Sequence, residues 1–145
     1  MKTIIAAALL AAGFSSAPTV VSTASAAAVE ARVDLSEQRM RVYQHGVLRY
    51  TWPVSTARRG KVTPTGSWTA KWASKNHRSS RYNGAPMPYS IFYSGNFAIH
   101  GTDQIKRLGR PASAGCVRLH PDNARVFFNL SHKVGLKNVR VRVVR

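Results

Sequence analysis

From Ala31 onward the chain runs in short alternations of apolar and polar residues, the period of half-buried strands. Val33 and Leu35 alternate with Asp34, and Ser36-Glu37-Gln38 reads as a turn. Met40 and Val42 alternate with Arg39, Arg41 and Tyr43; His45-Gly46 marks a tight turn, and residues 47–54 make a third run. Thr63-Pro64-Thr65-Gly66 is a Pro/Gly turn leading into an alternating run over residues 67–72. Residues 74–86 are polar and basic without a clear period, which predicts a loop or flap, with His77 solvated in it. Residues 87–93 and 97–100 form two more strands about the turn Ser94-Gly95-Asn96. After residue 120 the period changes. Pro121-Asp122 suits the first turn of a helix, and Ala124, Phe127, Phe128 and Leu130 recur at helical spacing. His120 and His132 flank that helix as capping or surface residues, and the helix is expected to brace the loop before it. Gly135 ends it, and Val139, Val141 and Val143 alternate with Arg140 and Arg142 in a last strand. Many short strands with one or two short helices predict a mostly-β domain, a sandwich or a flattened barrel.

Candidate chemistry concentrates between residues 96 and 120. The apolar run Phe97-Ala98-Ile99 delivers His100 to the end of a strand, and a Gly- and Pro-punctuated loop leads to Ser113-Ala114-Gly115-Cys116-Val117-Arg118. Cys116 is the only cysteine. Thiols are often small buried hydrophobes, but this one sits among Gly, Ser and Arg. A thiol serves as a nucleophile when a base or a positive field raises its thiolate fraction, and histidine is the usual base. Gly115 permits close backbone approach, and the amides of Gly115 and Cys116 are candidate oxyanion donors. Sequence spacing alone does not bring Cys116 and His100 together.

Composition changes the picture in two ways. Lys2, the apolar run over residues 4–14 and Ala24-Ser25-Ala26 read as a secretory signal covering residues 1–26, leaving one domain over 27–145. Ser15, Ser16 and Pro18 interrupt the run short of a bilayer span. Export to the periplasm or cell wall follows as the expectation, and an unpaired cysteine in an oxidising compartment argues for use. With Lys2 removed, 21 Lys+Arg face 5 Asp+Glu, a formal net charge of +16. For an exported chain that balance favours cell-wall material and anionic envelope polymers or lipids over nucleic acid. One cysteine and five scattered histidines have no metal-ligand spacing, and no glycine fingerprint for a phosphate or dinucleotide is present, so no cofactor is expected. The chain is taken as a monomer.

The stretch I-H-G-T, followed by G-R-P-A-S-A-G-C-V-R-L, resembles the active-site signature of the L,D-transpeptidase catalytic domain (YkuD-type). Residues 33–43, 52–56, 63–68 and 87–92 are similar to that family's other blocks in the same order. The resemblance implies a β-sandwich of mixed sheets with a cleft at one edge. It implies that Cys116 attacks the carbonyl between diaminopimelate and D-Ala of a peptidoglycan stem, with His100 as base and the Gly101 carbonyl orienting the imidazole. Ser113 would brace the loop, Arg118 would bind a substrate carboxylate or brace the loop, and Tyr89 would line the cleft or join the core. The turn at 63–66 would border that cleft. Carbapenems would acylate the thiol. Ala114 departs from the pattern, standing where the family usually has a second histidine. Three functions stay open: a transpeptidase joining stems or attaching protein, a thiol hydrolase of the same bond, and a non-catalytic basic module that binds the envelope.

Overall fold

A computed structural model describes residues 27–145; the expected signal segment lies outside the described residues. The first strands are β1 (Val29–Asp34), β2 (Arg39–Gln44) and β3 (Val47–Pro53), followed by β4 (Gly66–Thr69) and β5 (Trp72–Arg78). Then come β6 (Pro86–Ser94), β7 (Phe97–Gly101), β8 (Val117–Leu119), helix α1 (Pro121–Val134) and β9 (Val139–Val144). They form two sheets, ordered β3-β2-β1-β9-β4 and β5-β6-β7-β8. β1 with β9 and β7 with β8 pair parallel, the other neighbours antiparallel, so both sheets are mixed. The fold is therefore the expected mostly-β sandwich, closed as two sheets rather than a barrel.

The core lies between the sheets, as alternation requires. Val29, Ala31, Val33, Met40, Val42, Val139, Val141 and Val143 point inward from one sheet and meet Ile91, Tyr93, Ile99, Val117 and Leu119 from the other. Ala124, Phe127 and Phe128 seat α1 in that core, and the helix packs on β6 and β7. Asp122 N donates to the His120 side chain at its N-terminus, the capping role expected of His120. The start of α1 abuts Gly101 so closely that a Cβ there would lie 3.2 Å from Pro121 Cα and 3.1 Å from Pro88 Cγ. Among the described residues no helix is long and apolar enough to cross a membrane.

Two expectations are corrected. Residues 72–78 are strand β5, paired to β6 from Trp72↔Phe92 to Arg78↔Pro86, so the first part of the expected 74–86 loop is strand and the loop itself spans only residues 79–85. β5 is an edge strand exposed on much of both faces, and a solvated edge carries no alternation to read. His77 is accordingly half-buried, its ring edge-on to Phe92. Tyr89 is the second correction. Its backbone is left-handed, with φ 55°, and its ring packs against Phe128 of α1 at 5.5 Å between centroids. The local twist interrupts the alternation of β6, so Met87 and Phe92 share the face opposite the core and cluster with Ala98. Tyr89 is a core-side residue and does not line the cavity described next.

Candidate active site

β7 and β8 run parallel with Ile99 opposite Val117 and His100 opposite Arg118, which puts Ala98 beside Cys116 just ahead of β8. Ile99, Val117 and Leu119 face the core. The intervening positions Ala98, His100, Cys116 and Arg118 therefore share the other face. His100, Cys116 and Arg118 line one cavity of about 500 Å³, with Arg58, Arg81 and Phe97 on its walls. The sheet thus brings the predicted nucleophile and base, 16 positions apart in the sequence, into one pocket.

His100 is 5% exposed, and its Nδ1 lies 2.6 Å from the Gly101 carbonyl oxygen. That carbonyl can only accept, so Nδ1 carries the proton and Nε2 is left as the basic nitrogen. Burial lowers the imidazole pKa to about 4, against the smaller raising effect of the Gly101 bond; the Arg118 and His77 charges lower it further. Cys116 packs against the Met87, Phe92 and Ala98 cluster, and its thiol donates weakly to the Asn96 carbonyl at 3.7 Å. Burial raises its pKa, opposed by the Ala98 amide and Arg118. Both groups are thus neutral at rest near pH 7.

The nucleophile loop is held from three sides. Ser113 Oγ, fully buried, donates to the Cys116 carbonyl at 2.7 Å and accepts from the Gly115 amide at 3.0 Å, closing the tight turn. The Gly115 amide is therefore engaged within the loop and does not face an oxyanion. Of the two amides expected to do so, only that of Cys116 is unengaged among the described residues. Gly115 itself adopts φ 144°, where an added Cβ would lie 2.7 Å from the Phe97 ring and 3.0 Å from the Val62 carbonyl oxygen. The segment after β3 supplies the second wall: Ser55 and Arg118 exchange two backbone hydrogen bonds, and the Thr56 carbonyl accepts from the amides of Ala112 and Ser113.

Thr63 supplies the third side, a role beyond the cleft-bordering turn that the sequence predicts for residues 63–66. Its buried hydroxyl accepts from the Ala57 amide at 3.0 Å and donates to the Gly115 carbonyl at 2.8 Å. No local pattern announces a bond to a residue 52 positions away. Thr63 is a positioning residue for the loop. We expect Thr63→Val to lower the acyl-transfer kcat about tenfold with KM little changed, and Thr63→Ser to restore it. A Thr63→Val enzyme with wild-type kcat would remove the assignment.

Arg118 is half-buried, with its Nη1 3.4 Å from Gln104 Oε1. Burial and the nearby Arg107 and Arg58 lower its pKa. Among the described residues, none of Arg58, Arg81 and Arg118 forms an ion pair. The cavity is therefore a cationic pocket with a neutral thiol and a neutral imidazole on its floor. No three His, Cys, Asp or Glu side chains among the described residues converge where a metal ion could sit.

Residues 28–143, most of the chain, match the YkuD family, the L,D-transpeptidase catalytic domain. The chain belongs to that family. Solved L,D-transpeptidase structures share its fold. The enzyme from Mycobacterium smegmatis is 20% identical with a TM-score of 0.73, over 81% of this chain and 59% of that one. That from Stackebrandtia nassauensis is 23% identical with a TM-score of 0.72, over 81% and 56%. L,D-transpeptidase 3 from Mycobacterium tuberculosis, solved with a faropenem-derived adduct, is 19% identical with a TM-score of 0.71, over 81% and 60%. This L,D-transpeptidase-family chain thus spans about three-fifths of the length of those structures. No curated protein matches it in sequence. Within the family's signature, Ala114 lines the cavity beside Cys116, so the wall where a second imidazole would stand is a methyl group.

Proposed function

We propose that this domain is an exported cysteine L,D-transpeptidase acting on peptidoglycan stem peptides. The observation that carries the reading is a single one. His100, with Nδ1 fixed by the Gly101 carbonyl, shares a face and a cavity with Cys116. Nε2 of His100 takes the thiol proton as sulfur attacks the carbonyl between diaminopimelate and the terminal D-Ala. The Cys116 amide and the Arg118 charge stabilise the oxyanion. Collapse expels D-Ala, whose amine takes the proton back from His100, and leaves a Cys116 thioester. An amine of a second stem or of a protein then attacks the thioester, giving up its proton to His100 Nε2. The C–S bond breaks to release the Cys116 thiol, which takes that proton back, and the product is a cross-link between third residues or a protein attachment. The unpaired arginines suit the carboxylates of such a donor. Outside the cytoplasmic membrane, the net charge of +16 would hold the mature chain to anionic wall polymers or lipids.

The test is mass analysis of the protein incubated with tetrapeptide-stem muropeptides. Loss of D-Ala together with a new dimer of stems supports transfer. Loss of D-Ala with monomeric tripeptide alone makes the domain a hydrolase. No turnover, and no covalent adduct with a carbapenem, leaves the basic envelope-binding module and sinks the enzymatic reading.

A further inference from the structure

On the cleft face of the four-stranded sheet, one cross-strand row continues from the nucleophile to the edge. Cys116 lies beside Ala98, Ala98 pairs with Phe92, and Phe92 pairs with Trp72 on β5. Three inter-strand steps separate Trp72 from Cys116, about 14 Å at ~4.8 Å per step. Met87, which lines the cavity, pairs with His77, so the surface is continuous between them. The indole of Trp72 lies flat on the buried Phe92 ring, 3.8 Å between centroids with planes 2° apart. His77 meets both rings edge-on, at 5.6 and 4.9 Å. Trp72 nevertheless remains 46% exposed. A large flat apolar surface is thus held in one orientation before any ligand arrives, so a ligand stacking there meets little ordering cost in the protein.

We propose that Trp72 is a saccharide platform, on which a pyranose ring of the glycan strand stacks while the stem it carries reaches Cys116. The proposal rests on the stem-peptide reading above and adds the sugar to it. Its support is length and shape. The stem has three residues between the sugar and the bond cut. Extended, they span about 10–11 Å, and the γ-linked second residue and the lactoyl ether lengthen the path toward the spacing of the row. A pyranose presents an apolar C–H face bounded by hydroxyls, and the flat, half-exposed indole is complementary to that face.

The experiment compares a free tetrapeptide with the same tetrapeptide on its disaccharide, for wild type, Trp72→Ala and Trp72→Phe. Wild type is expected to show kcat/KM about tenfold higher for the disaccharide substrate, through KM. Trp72→Ala should erase that difference while leaving the free tetrapeptide rate unchanged, and Trp72→Phe should keep part of it. Equal rates on the two substrates in wild type, or an equal loss on both in Trp72→Ala, would overturn the platform. A second readout separates this from the reaction itself: the Trp72 indole N–H resonance during titration with peptide-free glycan oligosaccharide. A shift without turnover of either substrate keeps the platform and removes the transpeptidase reading. Neither shift nor turnover removes both.

Discussion

Cys116→Ala is expected to take D-Ala release and acyl transfer below detection, a fall of about 10⁴-fold or more, because the chain has no other thiol to attack from. His100→Gln should cost about 10²–10⁴-fold, the range of a lost general base. The two losses should not add, since the imidazole acts only through the thiol. The protonation states make the expectation sharper. Burial holds the imidazole neutral and keeps the thiol above its ordinary pKa, so the resting site is not a thiolate–imidazolium pair. Iodoacetamide should therefore alkylate Cys116 slowly at neutral pH, with a rate that keeps climbing beyond the ordinary thiol range. A pre-formed ion pair would instead give a plateau of fast alkylation between about pH 5 and 8. Such a plateau would show that the nucleophile is activated before substrate arrives, and would sink this account of the site.

What could be read ahead of the structure depended on whether each constraint was local. The strand at Val139, Val141 and Val143 announces itself by alternation, but its place between β1 and β4 depends on pairing with residues more than 70 positions away. β5 was missed because an edge strand wet on both sides needs no apolar stripe. Tyr89 could not be placed because its left-handed backbone breaks the period from which its facing would be inferred. In the site, Cys116, His100 and Gly101 were legible through Gly punctuation and an ordered set of motifs. The direction of the Gly115 amide was not, since Ser113 captures it through a hydroxyl rotation that leaves no trace in the sequence. Thr63, Arg58 and Arg81 enter the site from segments that look like ordinary turns and basic loops.

The same burial that keeps His100 neutral should make the domain acid-labile. Its folded pKa of about 4 lies below the ordinary 6.5, so between those values the unfolded chain binds a proton that the folded chain refuses. Stability then rises with pH across that window and is lost on acidification from about 6.5 toward 4. At ~1.4 kcal/mol per pKa unit the loss is on the order of 3 kcal/mol, a large part of a small domain's margin. Asp34 acts in a lower window. The Ser36 hydroxyl and Glu37 amide hold its carboxyl below the ordinary value, so its stabilisation is present above that value and fades as pH falls through the lowered one. Urea unfolding of wild type and His100→Gln at pH 7, 5.5 and 4.5 separates the two. The variant should lose little stability across those three values, while wild type drops steeply. Parallel curves would mean that His100 takes its proton without unfolding the domain, and that the cavity admits enough water to solvate an imidazolium. In that case the lowered imidazole pKa would fall, while the raised thiol pKa and the slow alkylation expected from it would stand on their own test.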